Sequence, residues 1–380
     1  MKVMILVPSF GKSSPIEGAF LFARYLHERG VEVVFVSLDD NYKSKENIIG
    51  EITKVGIGSV CLNIKGWRGI LRYRSRIQNY CKEKGVDVIL AYLLRPTLIA
   101  SLLSNNIVKI VFIRGMLREN YNISYGKIIS NIFASLEMKA LQKMDHVFSM
   151  SEQMSQWLKS EGIDSHRISN VNNFVDVRSI RSLVTHEESR DKIKIKIGMF
   201  CNIVPLKKID VALRAISKVI NSYKHYNVVF NLVGDGPLRK QMEKLAYRLN
   251  LNNKVVFHGF LSNPWQLMNE MNLVVLTSEA EGVPRCLMEA LSLGKTVLAS
   301  DIPGVNELIL DGQTGFLFPV GDVDELAFLI DRVIQNESYL PSERLVNFML
   351  KNYDIHICCE KMLNQINKAY HEKKKNISSL

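Results

Sequence analysis

Short runs of apolar residues alternate with longer amphipathic stretches along most of the chain. In the first half, apolar runs at 3–7, 31–38, 86–91 and 109–113 predict strands. A second series predicts strands at 193–199, 227–233, 254–258, 273–277 and 296–299. The amphipathic stretches between the runs predict helices. Since strands that read as continuous apolar runs are buried on both faces, the pattern predicts an α/β protein with two doubly wound, parallel, Rossmann-like sheets.

The alternation breaks between residues 171 and 192, where polar and charged residues dominate. We interpret this segment as a linker between an N-terminal domain at 1–170 and a second domain at 193–345. The remaining segment, 346–380, shows helical periodicity and no strand pattern, so we expect it to pack back towards the first domain. In such folds ligands bind at the carboxyl ends of the strands, which predicts a cleft between the two domains.

Composition supports a globular protein without a membrane span. Apolar residues make up 47% and charged residues 23% of the 380 positions. The first ten residues contain too short an apolar run for a signal peptide, and the most apolar stretch, 88–113, is interrupted by Arg95-Pro96 and Asn105-Asn106. The six cysteines show no CxxC pair and no metal-ligand spacing with histidine, which predicts a reduced, cytoplasmic protein without structural zinc.

The net charge of +11 indicates an anionic partner. Nucleic acid, an acidic membrane surface and a phosphorylated substrate all satisfy this condition, and charge alone does not separate them. No basic motif with interleaved aromatic residues supports nucleic-acid binding.

The segment 278–311 carries the most informative pattern. It follows a predicted strand, Pro284 suits the first turn of a helix, and Gly294 suits the stop of that helix. Glu281 then lies in the loop before the helix and Glu289 lies on the helix. Loop amides at a helix N-terminus bind anions, and a carboxylate on the helix can accept hydrogen bonds from two adjacent hydroxyls, as in a ribose. Two glutamates alone are more commonly ordinary surface acids, and it is the residues around them that favour a site.

These residues resemble the family-4 retaining glycosyltransferases, whose two-domain architecture is called GT-B. The family pattern consists of three blocks, E-G-x-P-x-x-x-x-E-A, G-x-x-V and P-G-x-x-E. This chain matches them in order with Glu281-Gly282-Val283-Pro284 and Glu289-Ala290, then Gly294 and Val297, then Pro303-Gly304 and Glu307. Three shorter blocks agree as well, at 233–237 (VGDGP), 173–176 (NFVD) and 145–151 (DHVFSMS).

The resemblance implies a role for each donor-site residue. Glu289 would hold the nucleotide ribose, and Glu281 would contact the donor sugar near its reacting carbon. The backbone at Gly282 and Val283 would face the diphosphate, and the donor-binding surface would also include Pro284 and Gly234.

A lysine after the first strand of the second domain usually neutralises the leaving diphosphate in this family, and Lys207 occupies that segment. Asn202 stands where the family commonly has arginine, which would leave Lys207 with more of the phosphate charge to neutralise. Asp322-Val323-Asp324 is typical of a helix cap rather than a metal site. We therefore expect no metal and no cofactor other than the nucleotide-sugar substrate.

Signals in the first domain are weaker. Gly18 follows the loop after the first strand, and Arg95 and Arg114 lie near strand ends. The resemblance places an acceptor site in this region, with an ordinary loop glycine and surface arginines as the alternative interpretation. The stretch 66–84 predicts a helix with Arg68, Arg72 and Arg76 on one face. This face could contact an anionic membrane, or the helix could simply cover the sheet.

The predicted function is a metal-independent, retaining hexosyltransferase. It would use a nucleotide-sugar donor and a lipid-linked or glycan acceptor in the assembly of a bacterial surface polysaccharide. A sugar-nucleotide epimerase of the same architecture and a catalytically silent sugar-nucleotide-binding subunit remain as alternatives, the second because of Asn202. An NAD enzyme is excluded because Gly234-Asp235-Gly236 lacks the third glycine and the acidic residue of the dinucleotide fingerprint.

Overall fold

The computed structural model describes residues 1–39, 47–63, 70–113, 127–185, 194–335 and 340–378. The chain divides into two compact units. The first unit comprises residues 1–173 together with 355–380, and the second comprises residues 174–354.

The first unit is built on a seven-stranded parallel sheet. Its strands are β1 (Lys2–Val7), β2 (Glu32–Ser37), β3 (Gly58–Cys61), β4 (Val88–Tyr92), β5 (Val108–Ile113), β6 (His146–Ser149) and β7 (Ile168–Asn170). The spatial order is β3-β2-β1-β4-β5-β6-β7, so the direction of winding reverses between β1 and β4. This reversal defines a doubly wound sheet.

In the described residues, these strands are connected by the helices α1 (Ser14–Glu28), α2 (Ile49–Lys54), α3 (Ile70–Lys84), α4 (Leu94–Ser101), α5 (Lys127–Leu141) and α6 (Glu152–Ser160). Helix α1 has a proline in its first turn and ends before Gly30, which adopts a φ of +76°. The helices α3, α4, α5 and α6 share one buried core on one face of the sheet, through Ile77, Ile99, Ala134 and Leu158 respectively.

The second unit repeats the plan with six parallel strands. They are β8 (Ile195–Phe200), β9 (Val228–Val233), β10 (Val255–Gly259), β11 (Leu273–Leu276), β12 (Thr296–Ser300) and β13 (Phe316–Phe318), in the order β10-β9-β8-β11-β12-β13. The helices are α7 (Val177–Ser182), α8 (Ile209–Asn221), α9 (Arg239–Arg248), α10 (Trp265–Asn269), α11 (Arg285–Ser292), α12 (Val323–Ile334) and α13 (Ser342–Asn352). One core packs α8, α9 and α12 on one face, and a second core packs α7, α11 and α13 on the other.

The predicted fold class is confirmed, because both halves of the chain form parallel sheets flanked by helices. Nine strands lie at or within two residues of their predicted positions. Four short strands were not predicted, namely β3, β6, β7 and β13. Strands β3, β6 and β7 include polar residues or glycine, and β13 has only three residues, so none of the four contains a continuous apolar run of four residues.

The boundaries between the units differ from the predicted ones. Helix α7 lies inside the segment interpreted as a linker, and its Val177 and Ile180 are buried in the second unit beside Leu287. The last helix, α14 (Ile355–Ser378), belongs to the first unit, whereas α13 belongs to the second. The predicted tail at 346–380 is therefore divided between the units.

Polar contacts hold α14 on the first unit. The Tyr25 hydroxyl donates a hydrogen bond to Glu360, and the Lys373 ammonium lies 2.6 Å from the Asp145 carboxylate. Within the described ranges, we find no helix long and apolar enough to cross a lipid bilayer.

Candidate functional site

Three adjacent strands of the second unit bring the predicted donor-site residues to one edge of the sheet. β9, β8 and β11 are neighbours and run parallel, so the loops after them emerge side by side. The loop after β8 carries Asn202 and Lys207, the loop after β9 carries Gly234, and the loop after β11 carries Glu281. This is the edge at which doubly wound sheets bind ligands.

Lys207 and Glu281 form an ion pair at this edge. The Lys207 ammonium donates to Glu281 Oε1, and the Ser278 hydroxyl donates to the same oxygen at 2.6 Å. The pair is largely withdrawn from solvent, with 18% of the Lys207 side chain and 13% of the Glu281 side chain exposed. The two residues that the sequence predicted as catalytic are thus in direct contact.

The backbone that carries Lys207 is fixed by the strand end beside it. The Thr277 hydroxyl, which is buried, lies 2.8 Å from the carbonyl oxygens of both Lys207 and Lys208. The Glu279 amide donates to the Leu206 carbonyl at 2.9 Å. Lys208 has a φ of +45°, so the chain turns sharply just after Lys207. These contacts hold the lysine in one position relative to β11.

Electrostatics keep Lys207 charged. Burial alone would lower the pKa of its ammonium, but the adjacent Glu281 carboxylate outweighs that effect and leaves the pKa above its ordinary value. The positive charge of Lys207 acts to lower the pKa of the nearby Cys201 and Cys286 thiols, but the effect of burial is larger. Burial raises the pKa of Cys201 to about 12, which keeps this thiol protonated.

Gly234 allows two loops to meet at close range. Its φ is +131°, and a Cβ at this position would lie 1.9 Å from the Cys201 carbonyl oxygen. Its amide donates to the Gly259 carbonyl at 2.8 Å. A similar contact occurs at Gly236, where a Cβ would lie 2.4 Å from the Ile203 carbonyl oxygen. Glycine at these two positions therefore lets the loop after β9 pack against the loop after β8. The Gly234 amide is already hydrogen-bonded within the protein.

The loop before α11 is held by a second glycine contact. A Cβ on Gly304, which has a φ of +82°, would lie 2.0 Å from the Gly282 carbonyl oxygen. The P-G-x-x-E block therefore packs directly against the E-G-x-P block. Val283 lies between Gly282 and Pro284, and Pro284 occupies the extended N-cap position of α11 rather than its first turn. The helix accordingly begins one residue later than predicted.

Glu289 lies on α11 and is only 13% exposed. Its carboxylate is 3.3 Å from the Arg285 guanidinium one turn earlier. The opposite side of the helix is buried through Leu287, Ala290 and Leu291, as predicted. Asn202, by contrast, is an exposed residue in the loop after β8.

The predicted acceptor residues of the first unit occupy different settings. Gly18 is buried within α1. Arg95 lies on α4 and pairs with Asp39 at 2.7 Å, with both side chains largely buried. Arg114 and Arg68 lie outside the described residues, as does the side chain of Arg72, whereas Arg76 is exposed on α3. Their predicted roles therefore stay predictions.

Sequence reasoning missed Thr277, Ser278 and Arg285 as members of the site. The first two directly follow β11, and polar residues at the carboxyl end of an apolar strand are a usable signal for a site. Arg285 lies four residues before Glu289, a spacing that favours a contact on a helix. Across the described part of the chain, no three His, Cys, Asp or Glu side chains are grouped as metal ligands.

Two family models match the chain. The model described as "Glycosyl transferases group 1" matches residues 184–348, and "Glycosyltransferase Family 4" matches residues 18–179. Among curated relatives, a poly(ribitol-phosphate) alpha-N-acetylglucosaminyltransferase of Staphylococcus aureus is 27% identical over 54% of this chain and 40% of its own length. A lipopolysaccharide 1,6-galactosyltransferase of Salmonella typhimurium is 24% identical over 56% of this chain and 58% of its own length. The matches span about half the length of these relatives.

A solved structure extends the fold comparison to nearly the whole chain. Anabaena HepE, crystallised in complex with UDP, superposes with a TM-score of 0.81. The superposition covers 97% of this chain and all of that one, at 19% sequence identity. At this level of identity the likeness concerns the fold alone.

Proposed function

We propose that this chain, which belongs to the family-4 glycosyltransferases of GT-B architecture, transfers a sugar from a nucleoside-diphosphate sugar to a glycan or lipid-linked acceptor. The transfer retains the anomeric configuration of the donor, requires no metal ion, and serves the assembly of a bacterial surface polysaccharide. The single observation that carries this proposal is the Lys207–Glu281–Ser278 cluster at the carboxyl ends of β8 and β11.

Lys207 supplies the positive charge that the leaving group needs. When the bond between the anomeric carbon and the diphosphate breaks, negative charge grows on the diphosphate oxygens. A fixed ammonium in a partly desolvated site stabilises that charge more strongly than water does. The Thr277 hydroxyl holds the backbone of Lys207 in place before the donor arrives, so little reorganisation is required during the reaction. This charge takes the part that a bound metal ion plays in other transferases.

Glu281 has two tasks in this scheme. In the absence of donor it pairs with Lys207 and keeps the ammonium charged and pointed at the strand ends. With donor bound, the diphosphate competes for the ammonium, and the Glu281 carboxylate becomes available to the sugar hydroxyls and to the reacting carbon. The Ser278 hydroxyl holds Oε1 at 2.6 Å and so limits how far the carboxylate can move.

Glu289 accepts hydrogen bonds from the two ribose hydroxyls of the nucleotide. Its position on α11 and its contact with Arg285 orient the carboxylate. The loop amides before α11, at Gly282 and Val283, together with the positive end of the helix dipole, form a site that favours the diphosphate.

The relatives support the proposed class of acceptor. One relative acts on poly(ribitol phosphate) and another on lipopolysaccharide, both of which are surface polymers. UDP is bound in the crystal structure of a protein with the same fold. We therefore propose a uridine diphosphate sugar as donor and a bacterial surface glycan or its lipid-linked precursor as acceptor, and the reaction would take place in the cytoplasm.

The proposal is tested by incubating the purified chain with UDP-, GDP- and TDP-sugars and measuring the melting temperature. A donor at 100 times its dissociation constant should add about 2.7 kcal/mol of stability. The stabilising donor is then supplied with candidate acceptors in the presence of EDTA, and the anomeric configuration of the product is determined by NMR. Inversion of configuration, or loss of activity in EDTA, would contradict the retaining or the metal-independent part of the proposal.

Two further outcomes would identify the alternative functions. In a control without acceptor, conversion of the sugar nucleotide into its epimer would identify an epimerase. In the assays with acceptors, donor binding without transfer to any of them would favour a catalytically silent binding subunit.

A further inference from the structure

Helix α5 exposes four large apolar residues and buries two polar ones. Ile128, Ile129, Ile132 and Leu136 are between 43% and 80% exposed, whereas Ser130 and Glu137 are nearly inaccessible to solvent. A helix that covers a sheet ordinarily shows the opposite arrangement. We name Ile128, Ile129, Ile132 and Leu136 the α5 stripe.

The α5 stripe lies on one face of the helix. Ile128, Ile132 and Leu136 follow one another at four-residue spacing, and at about 100° per residue Ile129 completes an arc of about 100°. The inward side of the helix is already packed, because Ala134 and Leu141 belong to the core that α5 shares with α4. The stripe is therefore not needed to attach α5 to the sheet.

Basic residues lie at one end of the stripe and on another helix of the same layer. Lys139 and Lys143 are exposed at its C-terminal end, and the one acidic residue of α5, Glu137, is buried. Helix α3 packs against the other side of α4, within the same layer. It exposes Arg74, Arg76, Lys82 and Lys84 against a single exposed acid, Glu83.

The charge of the whole chain is concentrated in this unit. Residues 1–173 and 355–380 contain 28 Lys and Arg against 17 Asp and Glu, a balance of +11. Residues 174–354 contain 21 of each, a balance of zero. The net charge therefore lies on the unit that carries the stripe, and it would repel a second copy of that unit while attracting an anionic surface.

We propose that the α5 stripe is a membrane-docking surface, which inserts into an anionic phospholipid leaflet while the exposed Lys and Arg side chains of α3 and α5 contact the headgroups. Exposed aliphatic side chains bordered by lysine and arginine are what an interfacial helix presents to a bilayer. Attachment is peripheral and salt-sensitive, because much of the attraction is electrostatic and is screened within about 10 Å at 0.1 M salt. The inference goes beyond the proposed reaction, since it concerns where the first unit lies rather than what the second unit binds.

The test is co-sedimentation of the full chain with vesicles made of equal parts phosphatidylcholine and phosphatidylglycerol. The wild type should bind these vesicles at low salt and bind phosphatidylcholine vesicles far less, and salt at about 1 M should release it. Ile128→Ser/Ile132→Ser should weaken the apparent partition coefficient by at least about tenfold, because apolar side chains supply the inserted surface. Lys139→Gln/Lys143→Gln should weaken it by a smaller factor and reduce its salt dependence.

A matched control compares single substitutions of the same type. Ile357 is exposed on α14 of the same unit, so Ile357→Ser should leave vesicle binding unchanged while Ile132→Ser weakens it. Melting temperatures of the variants establish that each remains folded.

Three results would overturn the proposal. In the first, the wild type does not bind phosphatidylglycerol vesicles; in the second, Ile128→Ser/Ile132→Ser binds them as well as the wild type. In the third, the wild type is a dimer that the double substitution dissociates while vesicle binding is unchanged, so that the stripe is an interface between copies. Nucleotide binding, measured by calorimetry on the same variants, reports separately on the function proposed for the second unit.

Discussion

The buried Thr277 hydroxyl lies 2.8 Å from the carbonyl oxygen of Lys207, and at the same distance from that of Lys208. The hydroxyl thereby ties the end of β11 to the turn that presents the Lys207 ammonium. Thr277→Val keeps the shape of the side chain but leaves both carbonyls without this donor. We expect it to cost about 1–3 kcal/mol of stability and to lower kcat more than it changes KM, because the ammonium is displaced.

Thr277→Ser, which retains the hydroxyl, is the control and should keep most of the activity. Steady-state kinetics and urea denaturation measure the two effects. If kcat of Thr277→Val equals that of the wild type, the hydroxyl serves stability alone.

Lys207→Ala should lower kcat by about 10²–10³-fold, with a smaller effect on donor affinity, because its charge matters most as negative charge grows on the leaving diphosphate. Lys207→Ala/Asn202→Arg should recover part of the loss, since position 202 is exposed in the same loop. The neighbouring Lys208, which pairs with Glu279 at 3.2 Å, provides the control substitution Lys208→Ala. Equal losses of kcat in the Lys207 and Lys208 variants would contradict the assignment.

Glu289→Ala should weaken binding of the nucleoside diphosphate by about 1.5–3 kcal/mol, the usual range for hydrogen bonds to a charged group. The fold should survive, because the buried side of α11 does not include Glu289. Isothermal titration calorimetry with UDP and with 2′-deoxy-UDP measures the effect. If Glu289 binds the ribose, the wild type should discriminate between these ligands and the variant should not. The exposed Glu279 gives the control, Glu279→Ala.

Gly234→Ala should destabilise the second unit and disturb the loop after β8. The backbone has a positive φ, and the new Cβ would lie 1.9 Å from the Cys201 carbonyl oxygen. Gly312→Ala separates the two causes, because Gly312 also has a positive φ, of +68°, but no atom within 4 Å of the added Cβ. The Gly312 variant should lose only about 1 kcal/mol from backbone strain. The Gly234 variant should lose more, and should also lose donor affinity in calorimetry.

His146 should make the first unit less stable in acid. Burial within β6, reinforced by the nearby charges of Lys368, Arg167 and His166, lowers its pKa to about 4 from an ordinary value of 6.5. The unfolded chain therefore binds more protons than the folded chain between these values, so stability falls as pH drops from about 6.5 to 4. The loss amounts to about 3 kcal/mol. Above pH 6.5 this residue makes no contribution to the slope.

Urea denaturation at a series of pH values measures this dependence. His146→Asn should flatten the slope between pH 4 and 6.5. The exposed His27 offers a control, and His27→Gln should leave the slope as it is in the wild type. An identical slope in His146→Asn would rule out His146 as its source.

The order of helices and strands followed from the sequence because each apolar run is a local property of the chain. The runs at 3–7, 197–200 and 273–276 are buried on both faces, as expected for continuous apolar strands of a parallel sheet. The block from Glu281 to Glu289 is also local, so its loop and helix could be assigned without coordinates. Its turn residues, Pro284 and Gly294, have backbone requirements that few other residues meet.

Contacts between residues that are far apart in the sequence could be identified only in the tertiary structure. Lys207 and Glu281 are 74 residues apart, and they meet because β8 and β11 are neighbours in the sheet although two strands separate them in sequence. Helix α14 returns to the first unit through contacts as remote as that of Tyr25 with Glu360. Strand order and helix docking depend on the free energy of the whole core, which no local window contains.

The same distinction explains the α5 stripe. The sequence of α5 determines that an amphipathic helix forms there, since its apolar residues recur at helical spacing. Which face turns inward depends on the surface offered by α4 and the sheet, and this core is filled by Ala134 and Leu141 rather than by Ile128 and Ile132. The sequence therefore determined nine of the strands, the helical character of the stretches between them and the family of the site. The tertiary structure decided which side chains meet in that site and which remain exposed, because both depend on packing between elements distant in the chain.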